Sequence, residues 1–134
     1  MPIIRMVGRV TRVQARQAPE ARYVFGDNML RVGLGGLAKE LRGEPNAIGV
    51  PTKWRPSMEE SAFFRDGDLK NPQVAERIGD ALETIRDALS EGRLVYYPAL
   101  GVGSGLACLP EKAPAIASWI EANIADMERR YGGK

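Results

Sequence analysis

The sequence contains no histidine and only one cysteine, Cys108. Without histidine there is no Ser-His-Asp or Cys-His catalysis and no imidazole ligand for a metal. With one thiol there is no internal disulfide and no cysteine-built zinc site within the chain. Cys108 is expected to be a small buried apolar residue rather than a reactive thiol. Long apolar runs are also absent, and no stretch approaches the roughly 18 residues that cross a bilayer. The first residues, Met1-Pro2-Ile3-Ile4-Arg5, lack the apolar region of a signal peptide, so the expected compartment is the cytoplasm. The net charge of +2 is too small to imply nucleic acid by itself. Chemistry in such a chain runs on carboxylates, lysines, hydroxyls, amides and backbone dipoles. Nothing in the sequence calls for a cofactor or a metal, and nothing indicates an oligomeric state.

What is present suits one domain over residues 1–134, with an apolar fraction of 44% that is enough for one core. Apolar strand-like runs alternate with helical patterns. This predicts an α/β fold with a mostly parallel sheet covered on both faces. Residues 3–13 alternate and predict a strand, and residues 14–21 a loop. Tyr23 to Gly26 predicts a second strand, residues 33–42 a glycine-opened helix, and Ala47 to Val50 a buried strand. Ser57 is expected to cap a short helix, with Glu60 completing a capping box. Phe63 and Phe64 anchor that segment. Asp66-Gly67-Asp68 reads as a turn, since the remaining ligands of a calcium loop are missing. Asn71-Pro72 opens the clearest helix, with Val74, Ile78, Leu82, Ile85 and Leu89 on one apolar face. Residues 93–98 predict a buried strand. A last helix runs from Pro110 to about Tyr131, with Ala113, Ile116, Ala117, Ile120 and Ile124 inward.

Three segments carry candidate chemistry. Tyr23-Val24-Phe25-Gly26-Asp27-Asn28 ends a strand on a polar pair, at the strand end where open α/β sheets bind ligands. Gly33, Gly35 and Gly36 follow, and a glycine-rich helix start exposes N–H groups suited to an anion. Thr52 and Lys53 place a hydroxyl and a cation after the next strand, beside Trp54, which serves either packing or base stacking. Gly101-Val102-Gly103-Ser104-Gly105-Leu106 follows a third strand and forms a second candidate anion cradle. At each cluster the competing reading is a tight structural turn. Arg5, Arg9, Arg12 and Arg16 make the amino-terminal region basic, as a solvated face or as contacts to a phosphate backbone.

These blocks, in this order, resemble macro-like domains, the ADP-ribose-binding superfamily. Residues 23–28 and 33–38 look like the macrodomain strand ending in asparagine and its glycine-rich helix start. Residues 94–103 and 109–113 look like the later strand with its Pro-Ala, its phosphate loop and the helix after it. The run from Phe25 through Pro51-Thr52-Lys53 to Ala107 is similar to a small macro-like family of phages and bacteria. The resemblance covers about Arg22 to Ile124. It implies a three-layer α/β/α macro-like domain with a mixed, mostly parallel sheet and a nucleotide-sized cleft. It also implies that Asn28 faces the distal ribose, that Gly35 and Gly36 lie along the phosphates and ribose, and that Gly101 to Gly105 wrap the diphosphate. Two positions depart from the pattern. Arg9 stands where macrodomains carry the acidic residue for adenine, and Gly26 and Asp27 replace the small residues before the asparagine.

The expected function is binding of ADP-ribose or a related nucleotide, with or without hydrolysis of a glycosidic bond to ribose. Hydrolysis requires a positioned water and a carboxylate to take its proton, and Asp27 is the candidate base. The alternatives are a non-catalytic module that sequesters a nucleotide, and nucleic-acid binding through the arginines and Trp54, which the near-neutral charge disfavours. The expected partner is a nucleotide, not a membrane.

Overall fold

The run Arg22–Asp27 forms an interior strand, here β2, of a parallel sheet in the computed structural model, which describes residues 3–6, 8, 10–33 and 35–132. Tyr23, Val24 and Phe25 are all at most 5% exposed. Successive side chains leave opposite faces of a strand, so an uninterrupted apolar run requires cover on both. The other strands are β1 (Ile3–Met6), β3 (Ala47–Pro51) and β4 (Val95–Pro98). Their order is β1-β4-β2-β3, and every pairing is parallel rather than mixed.

Helices α3 (Pro72–Ser90) and α5 (Pro114–Tyr131) cover one face. There Ile78, Ile85, Ile116, Ile120 and Ile124 pack with Val24, Val50, Val95 and Tyr97. The short helices α1 (Arg12–Arg16) and α2 (Ala38–Leu41) cover the other face, where Ala15 and Leu41 pack with Met6, Tyr23 and Phe25. The result is the expected three-layer α/β arrangement. Asn71 caps α3 by accepting from the Gln73 N–H at 2.9 Å, Pro72 takes the first helical position, and the predicted apolar face is buried.

Several expected elements differ. The first strand stops at Met6, and α1 stands where a continuing strand and a loop were expected. Gly8 has φ +83°, and Thr11 and Gln14 form a reciprocal capping box that starts the helix. Val7 and Arg9 lie outside the described residues. The expected helix over 33–42 is a single turn, because Gly33 (φ +95°) and Gly36 (φ +59°) take left-handed conformations. Leu34 lies outside the described residues. The last helix is broken at Ala113 into α4 (Leu109–Lys112) and α5, because Pro114 donates no N–H and disfavours a helical residue before it. Ser57 accepts from the Glu59 N–H at 3.1 Å rather than building a box with Glu60, and a single 3-10 turn over Glu60–Ala62 follows. Asp66 lies in a 3-10 turn, Asp66–Lys70, and accepts from the Ala115 N–H at 2.8 Å in the first turn of α5. Cys108 is half-buried with φ +49°, not a buried core residue.

Three of the amino-terminal arginines, Arg5, Arg12 and Arg16, are spent within the fold. Arg5 pairs with Glu128 at 3.0 Å and Glu121 at 3.3 Å, and Arg12 and Arg16 both hold Glu44. Trp54 is a packing residue. Its ring meets Phe64 edge-on with centroids 5.3 Å apart, and its Nε1 donates to Asp68 at 3.3 Å.

Candidate functional site

β2 and β4 pair only at Arg22–Val95 and Tyr23–Tyr96. Beyond that point the segment after β4 packs against the end of β2 on the side that a Gly26 side chain would occupy. A Cβ built on Gly26 would lie 3.2 Å from the Gly103 N and 3.5 Å from Thr52 Oγ1. The carboxyl ends of β2, β3 and β4 therefore converge on a cleft of about 640 Å³. Outside the carboxyl ends of parallel strands is where such sheets bind ligands.

The expected catalytic and nucleotide-binding residues line this one cleft: Gly26, Asp27, Asn28, Gly33, Gly35, Gly36, Thr52, Lys53, and Gly101 through Leu106; Trp54, Arg5, Arg12 and Arg16 do not. Those that do come from three segments far apart in the chain. Sequence reasoning missed Arg42, Leu37, Pro56 and Met58, which line it too. The signal for Arg42 was its place at the end of the turn after the glycines. Met58 and Pro56 carried no signal, because an apolar side chain in a loop reads the same at a mouth as in a core.

Asp27 and Asn28 are largely engaged with the protein itself. Asp27 Oδ1 accepts from Arg42 Nη2 at 2.6 Å and from the Asn28 N–H at 2.8 Å. Its Oδ2 lies 2.7 Å from where a Cβ on Gly49 would stand, so that glycine makes room for the carboxylate. Asn28 is 6% exposed, and its amide works at both ends. Nδ2 donates to the Val32 carbonyl at 2.7 Å, and Oδ1 accepts from the Leu30 N–H at 3.0 Å. An asparagine bonded forward in this way closes a local turn. Thr52 is 2% exposed and donates its hydroxyl to the Asp27 carbonyl at 2.9 Å.

Lys53 differs from these. It is 7% exposed, and its Nζ lies 4.5 Å from the centroid of the Phe63 ring. Its polar contacts are the Leu106 carbonyl at 3.5 Å and the Met58 sulfur at 3.9 Å. Among the described residues no carboxylate pairs with it. Burial pushes the Lys53 amine below its ordinary value of 10.5. A cation left this way is short of a counter-charge.

The glycine segment after β4 is held from beneath. Gly101 has φ +90° and Gly103 φ +79°. A Cβ on Gly103 would stand 2.7 Å from Leu109 Cβ and 3.0 Å from Thr52 Cβ. Gly103 is therefore required by packing, whatever the cleft holds. Burial, reinforced by Glu121, pushes the Tyr97 hydroxyl well above its usual range, and Tyr97 donates to Glu121 Oε2 at 3.3 Å. The same Glu121 oxygen lies 3.0 Å from a Cβ position on Gly101, so helix α5 buttresses the start of the loop. The N-terminus expected to attract an anion at residues 33–42 belongs to a helix of only four residues. Any anion there meets loop amides rather than a summed helix dipole.

The chain belongs to the family of unknown function DUF7831, whose model matches residues 5–123. That description assigns no activity. No curated protein and no solved structure matches the chain. No helix among the described residues is long and apolar enough to cross a membrane.

Proposed function

We propose that this protein binds ADP-ribose or a related nucleotide in the cleft between residues 26–36, 52–53 and 101–106. The observation that carries the reading is Lys53: a buried ammonium without a carboxylate partner, in a cleft otherwise walled by glycine-rich loops. Such a cation favours a ligand that brings its own negative charge, and a charge-assisted bond to phosphate is stronger than one to a carbonyl. The volume of about 640 Å³ lies within the range of small-molecule sites. The motif resemblance to macro-like domains supports the same ligand class. A single cysteine suits the reducing cytoplasm, the compartment we propose for it.

The reading favours binding over turnover. Asp27 Oδ1 already accepts from Arg42 and from the Asn28 N–H. Asp27 therefore serves the loop through this oxygen, and Oδ2, packed beside Gly49, is the one left to take a proton from water.

The test is isothermal titration of the purified protein with ADP-ribose, and with AMP and NAD as comparators, followed by chromatography of each nucleotide after incubation. Micromolar binding of ADP-ribose with the ligand recovered intact is the expected result. Cleaved ligand, with cleavage abolished in Asp27→Asn, would make Asp27 the base. No heat with any of them would move the ligand outside this class.

A further inference from the structure

We infer that the cleft takes nucleoside diphosphates with the anionic group against Lys53 and the base at an apolar mouth, without choosing between bases. The inference rests on the nucleotide reading above and adds the orientation and the breadth of the ligand class.

Orientation comes from where the unspent groups stand. Polar side chains lining the cleft are mostly committed to the protein itself. Asp27 and Arg42 pair with each other, Asn28 bonds to its own loop with both ends of its amide, and Thr52 donates to the Asp27 carbonyl. Lys53 is the buried exception, so the charged end of a ligand goes to it.

Directly beside Lys53, whose Nζ contacts the Leu106 carbonyl and the Met58 sulfur, the lining changes character. Val32, Met58 and Leu106 are 48%, 62% and 60% exposed, and all three line this cleft. Large apolar side chains left in water beside a cavity mark a place where something apolar docks. Gly35 stands opposite Leu106, and a Cβ on Gly35 would lie 3.0 Å from Leu106 Cδ1. Gly35 and Leu106 therefore touch and close that side of the mouth, which leaves the exposed side chains of Val32, Met58 and Leu106 as the apolar surface for a ring.

Breadth follows from what that mouth lacks. A site discriminates strongly between bases only if it carries buried polar groups that the wrong base leaves unpaired. Among the described residues lining the cleft, the remaining side-chain hydroxyls are Ser104, which is exposed, and Ser57, which is half-buried, so neither is a buried group that a wrong base would leave unpaired. Every base has an apolar face, so dispersion and desolvation at Leu106, Met58 and Val32 serve all of them alike.

Titration of the wild-type protein with ADP, GDP, UDP and inorganic pyrophosphate, beside ADP-ribose, tests this. The three nucleotides are expected to bind within about 5-fold of one another, and pyrophosphate at least about 10-fold more weakly. The double variant Met58→Ser/Leu106→Ser is expected to lose about 10-fold for all three nucleotides equally, with unchanged circular dichroism. A preference above about 10-fold for one base, pyrophosphate binding as tightly as the nucleotides, or unequal losses in the variant would overturn the inference while leaving the nucleotide reading intact. Absence of binding by every nucleotide, ADP-ribose included, would overturn both.

Discussion

Arg42 closes on Asp27 at 2.6 Å, and the same guanidinium donates to the carbonyls of Gly33 at 2.8 Å and Val32 at 3.1 Å. One side chain thus ties the end of β2 to the glycine segment that follows it. Arg42 also lies over the Phe25 ring, 5.6 Å from its centroid. The fork geometry of a guanidinium is what allows three acceptors to be met at once. Asp27→Asn keeps the shape and removes the charge that Arg42 faces. Its expected cost is about 2 kcal/mol, since both side chains are largely buried and the cation is left with carbonyls alone. Urea denaturation measures this. A change below about 0.5 kcal/mol would mean that the pair does not organise the loop.

Lys53→Met separates binding from folding. Methionine keeps the length and apolar stem of lysine and removes a charge that burial penalises. The melting temperature is expected to stay level or rise, while nucleotide affinity falls about 30-fold. Affinity should also carry the titration of Lys53. Burial favours the neutral amine, so the free group titrates below 10.5, whereas a bound phosphate favours the ammonium. Affinity is therefore full below the pKa of the empty cleft and lost as pH rises through it, in a window that opens below 10.5. Titration calorimetry across alkaline pH checks the slope, which Lys53→Met should abolish.

Two glycines of the same loop should respond in opposite ways. At Gly103, φ is +79° and a Cβ meets Leu109 and Thr52, so Gly103→Ala is expected to cost about 3 kcal/mol in urea denaturation. At Gly105 a Cβ meets nothing within 4 Å, and the backbone is not left-handed. Gly105→Leu is expected to leave the melting temperature within about 2 °C and to weaken nucleotide binding about 10-fold by filling the cleft wall. Calorimetric melts beside titration of the same samples check both. A Gly105→Leu protein that binds as well as the parent would show that this part of the loop stays clear of the ligand.

Acid should remove the stability that Glu44 contributes. Arg16, hydrogen-bonded to it at 3.1 Å through both Nε and Nη2, is the main reason its carboxyl sits below the ordinary 4.5, with Arg12 adding to it. A carboxyl lowered in the folded state contributes stability that is present above 4.5 and lost as pH falls through its folded value. Glu44→Gln is expected to lower the urea midpoint near neutral pH and to match the parent well below 4.5. Denaturation curves at the two pH values decide it. An equal deficit at both would assign the effect to packing rather than charge.

Much of the layout was legible in local pattern. Alternation and apolar runs placed β2, β3 and β4, because a parallel strand must be apolar on both faces to be covered on both. Asn71-Pro72 announced α3, since an N-cap followed by proline works through neighbours in the chain alone. The residues of the cleft were legible for a similar reason. A glycine just after a strand signals a close backbone approach, whatever approaches it. Other features depend on what arrives from elsewhere. Thr11 and Gln14 overrode an alternating pattern to begin α1, and left-handed glycines cut the expected helix after β2 to one turn. Asp27 looks the same in the sequence whether it stands free or meets Arg42, and Lys53 whether it lies in water or under Met58. Burial and partnership are set by segments distant in sequence, and they decide which charges are spent within the fold and which are left for a ligand. Those long-range contacts, rather than the residue types, made Lys53 the buried cation without a carboxylate.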